Sequence, residues 1–144
     1  DTAQHDHLTK GYYYKWRVVR PLYLETVYGD KGVYSSVEDI YRFDRALYTN
    51  RIISQKSMQK ATSPANADLR GNRNYGYGWR LRTLENGQVI HYHTGWWRGY
   101  NTLFVRIPST QSTIIILANE LNRSFFSFYP QLAQLLSETT RLPA

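Results

Sequence analysis

Midway along this chain the hydrophobic period switches from helical to strand-like, and that switch dictates what it can fold into. Between Val37 and Tyr48 the apolar residues Ile40, Phe43 and Leu47 recur at helical spacing. Ser36, with the carboxylate of Asp39 three residues on, supplies an N-terminal cap for that helix. Beyond the polar, loop-like stretch Asn66 to Asn74 the period falls to two, Trp79 and Leu81 alternating with Arg80 and Arg82. Asn86-Gly87 then marks a hairpin turn, and Val89 to Thr94, Thr102 to Ile107 and Thr113 to Ala118 follow as strands. Helical segments followed by consecutive strands with short turns imply an α+β fold, an antiparallel β-meander of three to four strands packed with helices.

The flanks add less. A shorter helix is expected from Ser54 to Ala61, stopped by Ser63-Pro64. The unbroken Ile114-Ile115-Ile116-Leu117 run predicts a strand buried on both faces. Near the end, Tyr129, Leu132, Ala133, Leu135 and Leu136 form the stripe of a helix that would cover one face of the sheet, with Pro130 in its first turn. Asp1 to Gly29 shows no sustained period and reads as irregular, with one short strand near Trp16 to Val19. The 144 residues leave room for a single domain with an ordinary core.

Composition excludes several functions. There is no cysteine, so disulfides, a thiol nucleophile and cysteine-ligated zinc are ruled out. No apolar run reaches membrane-spanning length. Lys+Arg 18 against Asp+Glu 11 gives a net charge of +7, but the cations are scattered, without the block that a nucleic-acid tail needs. No nucleic-acid partner is expected. Arg70, Arg73, Arg80, Arg82, Arg98 and Arg106 face only Asp68 and Glu85 in their stretch, which would attract an anionic ligand or keep a basic face solvated. The 13 Tyr and 4 Trp suit a glycan or peptide groove and core packing alike.

The histidines stand as two pairs, His5/His7 and His91/His93, and on a strand each pair would project from one face. A metal would need a third ligand, and only Asp6 is near in sequence. Each pair therefore reads as one structural and one exposed histidine, and neither metal nor cofactor is expected.

His93-Thr94-Gly95 is set apart by its place at a strand end, ahead of the aromatic and glycine turn Trp96-Trp97-Arg98-Gly99-Tyr100. The motifs around it occur in a telling order: Gly32-Val33-Tyr34-Ser35-Ser36-Val37-Glu38-Asp39-Ile40, Ala46-Leu47, Ile53-Ser54, Thr62-Ser63-Pro64, Tyr75-Gly76-Tyr77-Gly78-Trp79, His93-Thr94-Gly95 with Gly99-Tyr100, then Pro108 and Ile114 to Asn119. From about Gly29 to Asn119 the chain resembles the C-terminal part of the serine β-lactamase and penicillin-binding-protein superfamily. The resemblance is to the class C-like branch, which includes D-aminopeptidases and esterases. The resemblance implies the C-terminal half of a β-lactamase/transpeptidase-like fold. Chemistry in that superfamily divides among a serine three residues before a lysine, a Tyr-x-Asn group for proton transfer, and a Lys/His-Thr/Ser-Gly strand that binds substrate along its edge.

Only the third motif stands in register here. By resemblance, His93 would be the catalytic member of the proton network facing the nucleophile, and Thr94 would hydrogen-bond the substrate carboxylate. Gly95 would let the substrate backbone approach the strand, and the Trp96 backbone N–H would supply half of the oxyanion hole. Ser57-Met58-Gln59-Lys60 and Tyr48-Thr49-Asn50 spell the other two motifs in the wrong order, within the helix pair after Ser36, and read as helix surface.

Residues 1–144 are therefore expected to be one incomplete domain, the C-terminal portion of a serine hydrolase acting on β-lactams, D-amino-acid peptides or esters through an acyl-enzyme. Alone, the portion would be inert. Its partners would be a small-molecule or peptide acyl substrate and either the missing N-terminal portion of the same domain or a second copy. The location implied is periplasmic or extracellular. A reading from another class is a non-catalytic peptidoglycan- or glycan-binding module that stacks sugars on Trp79, Trp96, Trp97 and Tyr100.

Overall fold

The computed structural model describes residues 8–20, 22, 29, 31–66, 68, 72–122 and 124–139. It opens on a small hairpin, β1 (Tyr12–Tyr13) and β2 (Arg17–Val18), closed by a 3-10 turn over Tyr14–Trp16. Two helices follow, α1 (Val37–Leu47) and α2 (Gln55–Ala61). Then come β3 (Arg73–Tyr75), β4 (Arg80–Thr83), β5 (Val89–Trp97), β6 (Tyr100–Ile107), β7 (Ser112–Ala118) and the helix α3 (Phe125–Thr139). The five strands from β3 to β7 form one antiparallel sheet in chain order. This is the expected α+β meander with an added edge strand: Arg73 and Asn74, the end of the stretch expected as loop, are held together with Tyr75 by pairing with Arg80 to Arg82.

The first two helices begin at their hydroxyl caps. Ser36 Oγ accepts the Asp39 N–H at 3.1 Å, and Ser54 Oγ accepts the Ser57 N–H at 3.1 Å. Each satisfies a donor that the first turn leaves without a carbonyl. α3 starts a turn earlier than its apolar stripe suggested, because Phe125 is buried in the core and Asn122 Oδ1 receives the Ser124 N–H at 3.0 Å. Pro130 thus lies inside the helix, not in its first turn, and the carbonyl one turn before it lacks its helical donor.

Strand alternation sorts the side chains of the sheet onto two faces. On one face, Ile90, Tyr92, Leu103, Val105, Ile107 and Ile114 pack with Phe125, Tyr129 and Ala133 of α3 into a buried cluster. The Tyr92 and Tyr129 ring centres are 5.2 Å apart, and burial pushes the Tyr129 hydroxyl up to about 12. The Ile114 to Leu117 run is buried unevenly, not fully on both faces: Ile114 is buried and Ile116 half-buried on this face, Ile115 is half-buried on the other, and Leu117 beside it is 39% exposed. No described helix is long and apolar enough to cross a membrane.

The other face is tied to the helices by a buried ion pair. Asp44 of α1 and Arg106 of β6 are both buried, and Arg106 Nε donates to Asp44 Oδ1 at 2.5 Å. Thr113 Oγ1 donates to Asp44 Oδ2 at 2.7 Å, and Arg45 donates to the same oxygen. The Arg106 guanidinium lies 4.4 Å from the ring centre of Tyr48 and 5.6 Å from that of Trp79. Its Nη1 is 3.9 Å from Met58 Sδ of α2. Arg106 is therefore no part of a basic surface; its counter-ion comes from α1, far away in sequence.

His91, which stands opposite Arg106 in the sheet register, is kept neutral by its surroundings. Burial and then the charge of Arg106 lower its pKa from 6.5 to about 4. In the unfolded chain the same imidazole takes a proton below its ordinary value, so between 6.5 and about 4 the unfolded state binds more protons and stability falls as pH falls. Denaturant midpoints across this window should show a loss of up to about 3 kcal/mol, largely absent in His91→Asn. An undiminished slope in that variant would assign the acid sensitivity to other groups.

Candidate active site

β5 is longer than its neighbour on one side. β4 pairs with β5 only from Val89 to Tyr92, whereas β6 pairs with it from His91 to Trp97. Along His93-Thr94-Gly95 the edge away from β6 has no strand beside it among the described residues. Such an edge offers backbone N–H and C=O groups to an extended chain. Turn chemistry places the break: the Trp79 carbonyl accepts the Gly76 N–H at 2.8 Å, Gly78 takes a φ of 74°, and β4 starts only at Arg80, opposite Tyr92. At the far end Arg98 (φ 45°) and Gly99 (φ 87°) close β5 onto β6 as a two-residue turn with both residues left-handed.

His93 is exposed, and its Nε2 lies 3.2 Å from the Tyr75 hydroxyl. The two rings meet edge to face, 6.4 Å between centres, and the Arg80 guanidinium lies 5.8 Å from the Tyr75 ring centre. Tyr75, at the end of β3, thus steadies the imidazole from beside the gap that β4 leaves. In the sequence Tyr75 stands out only as part of the Tyr75-Gly76-Tyr77-Gly78-Trp79 motif. No spacing rule links it to a histidine 18 residues on; the turn between β3 and β4 does.

Gly95 stands opposite Thr102, and a Cβ on it would land on Thr102 Oγ1. Packing between β5 and β6 therefore already demands glycine. Thr94 is paired with Leu103 of the core, so its side chain and that of Trp96 point to the face opposite His93 and Gly95. The residues singled out from sequence share one strand edge and divide between its two faces. Beside Gly95 a cleft of about 490 Å³ opens toward the segment that leads into α1, with Tyr34, Trp96, Trp97, Tyr100 and Leu117 among its walls. Tyr34 and Tyr100 meet edge to face at 5.9 Å, and Lys31 Nζ lies 4.9 Å from a Trp97 ring centre. His93 is not among the residues that line this cleft.

Other candidates have structural occupations. Ser57 and Lys60 are exposed on α2, and Ser57 Oγ is 2.9 Å from Ser54 Oγ. Tyr48 packs on Arg106 and Arg45, while Asn50 Oδ1 receives the Gln55 N–H at 3.0 Å between the two helices. The arginines do not converge on one ligand: Arg82 lies against Tyr129, Arg80 against Tyr75, and Arg98 donates to the Arg20 carbonyl. Among the described residues no three His, Cys, Asp or Glu side chains gather as metal ligands, and His91 has the cationic Arg106 beside it. His5, Asp6, His7 and Arg70 lie outside the described residues.

Known proteins resemble this chain in sequence and in fold. A family model described as Beta-lactamase matches residues 1–137. A penicillin-binding protein of Bacillus subtilis (strain 168) is 37% identical over 100 residues, which cover 69% of this chain and 22% of that protein. The chain thus spans less than a quarter of that relative's length. Among solved structures, the octameric penicillin-binding protein homologue from Pyrococcus abyssi aligns with a TM-score of 0.72 at 22% identity, over 93% of this chain and 32% of that one. The penicillin binding protein from Bacillus halodurans aligns with a TM-score of 0.55 at 18% identity, over 68% of this chain and 29% of that one. With an α+β meander of the same fold and a family match over nearly its whole length, the chain belongs to the serine β-lactamase and penicillin-binding-protein superfamily.

Proposed function

We propose that this chain is the C-terminal portion of an acyl-transfer serine hydrolase and contributes the strand along which the substrate lies. The observation that supports this most is the overrun of β5 past β4, which leaves the His93-Thr94-Gly95 edge open beside an imidazole held by Tyr75. An extended acyl substrate pairs with that edge, its carbonyl oxygen turned to the Trp96 N–H and its carboxylate reached by Thr94. A serine hydroxyl supplied by residues outside these 144 attacks the carbonyl carbon, the amine or alcohol leaves with the serine's proton, and water releases the acyl group. His93 is the catalytic residue of this portion, stabilising charge and relaying a proton near the nucleophile. Residues 1–144 are then one incomplete domain that works with the N-terminal portion of the same domain, on the outer side of the cytoplasmic membrane. β-Lactams, D-amino-acid peptides and esters are the substrate classes.

The test is covalent labelling of the full polypeptide. A reactive penicillin or an activated ester should raise its intact mass by one acyl group, and hydroxylamine should reverse the ester label. Resistance of the full polypeptide to both probes would overturn the assignment.

A further inference from the structure

The β1–β2 hairpin takes no part in the strand edge, and its side chains combine cations with aromatic and aliphatic groups. Between Leu8 and Leu22 the cations are Lys10, Lys15, Arg17 and Arg20, the aromatics are Tyr12, Tyr13, Tyr14 and Trp16, and no carboxylate or carboxamide occurs. Register opposes Tyr12 to Val18 and Tyr13 to Arg17. The Trp16 ring meets Tyr12 edge to face at 5.5 Å, so Tyr12, Trp16 and Val18 form an apolar patch. Arg17 lies 5.9 Å from the Tyr13 ring centre, and Lys15 lies 5.7 Å from that of Tyr14. Tyr14 is 74% exposed, Trp16 64% and Val18 51%.

The base of the hairpin is fixed while its tip is presented. The Tyr12 N–H donates to the Asn119 carbonyl at 2.7 Å, and the Leu121 N–H donates to the Tyr12 carbonyl at 2.9 Å. Gly99 comes so close from the β5–β6 turn that a Cβ on it would lie 2.5 Å from Tyr12 N. Lys15 and Trp16 are both left-handed, at φ 60° and 57°, a conformation that side-chain-bearing residues adopt only at some energetic cost.

We infer that this hairpin seats the protein on an anionic lipid bilayer, with Tyr14, Trp16 and Val18 among the headgroups and Lys15 and Arg17 against lipid phosphates. Charge and amphipathy select this occupant. Indole and phenol rings join an apolar body to a polar end and favour the membrane interface, and cations near an anionic leaflet add electrostatic attraction. A glycan site would call for planar carboxylate or amide partners for sugar hydroxyls, and this segment has none. Thr9, just before β1, lines the cleft, so a seated hairpin would hold the cleft at the bilayer surface.

The experiment is co-sedimentation of the full polypeptide with vesicles of phosphatidylcholine alone or mixed with phosphatidylglycerol, with heparin and insoluble peptidoglycan as competing matrices. Binding is expected only to the mixed vesicles, and it should weaken as salt rises. Trp16→Ala should lower the partition coefficient on the order of tenfold, and the exposed pair Lys15→Gln with Arg17→Gln about fivefold per cation. Thermal melting of each variant checks that the fold is kept, and the charge variants carry the test alone if Trp16→Ala does not fold. Equal binding to neutral vesicles, preference for heparin or peptidoglycan, absence of vesicle binding, or unchanged binding by the charge variants would each overturn the inference.

Discussion

Asp44→Ala should destabilise the native state by about 3–5 kcal/mol, the loss expected when one member of a buried ion pair is removed and the other stays in a dry site. Arg106 has no easy substitute. Its Nε loses a 2.5 Å acceptor, Thr113 Oγ1 loses another at 2.7 Å, and the guanidinium remains enclosed by Tyr48, Trp79 and Met58. The double variant Asp44→Leu with Arg106→Met should recover most of the stability, because exchanging both charges for apolar groups of similar volume removes the unpaired charge along with the pair. A surface pair of similar length gives the contrast. Arg42 and Asp39 meet at 2.6 Å with side chains 77% and 60% exposed, and Arg42→Ala should change stability by less than about 1 kcal/mol. Urea unfolding of the four proteins reads all of this. A loss below about 1 kcal/mol for Asp44→Ala would mean that Arg106 finds water or another acceptor and that the pair is not what fastens α1 to the sheet.

That pair also marks where sequence reading stopped. Periodicity and caps located α1 and α2 from Ser36, Ser54 and the stripe of Ile40, Phe43 and Leu47, because these signals lie within one or two turns of chain. The strands β4 to β7 were legible for the same reason: alternation and turn residues act over a few residues. Arg73 to Tyr75 carries no such signal, since an edge strand needs only a partner, and its partner β4 is visible only once the sheet is assembled. Arg106 looked like surface because its acid, Asp44, is 62 residues away. At the site, His93, Thr94 and Gly95 stand out by motif order, yet the open edge beside them depends on where β4 stops. Gly95 shows the limit most plainly. A motif marks the glycine, but the reason in the fold is the Thr102 side chain on the next strand.

His93→Ala should lower the rate of acylation of the full polypeptide by about 10²–10⁴, the range that a positioned acid or base contributes, if His93 stands in the proton network proposed for it. Tyr75→Phe provides the finer test. It keeps the ring against His93 and Arg80 and removes only the hydroxyl that lies 3.2 Å from His93 Nε2. A positioning residue of this kind acts on the reacting geometry and leaves substrate docking alone, so single-turnover acylation should slow by about tenfold at unchanged Kd. Because His93 and Tyr75 touch, their effects should not add: the double variant should be little slower than His93→Ala, since the hydroxyl has no imidazole left to orient. Additive losses would mean that Tyr75 meets the substrate itself. An unchanged acylation rate in His93→Ala would remove the imidazole from the chemistry and leave β5 with the passive task of offering its edge.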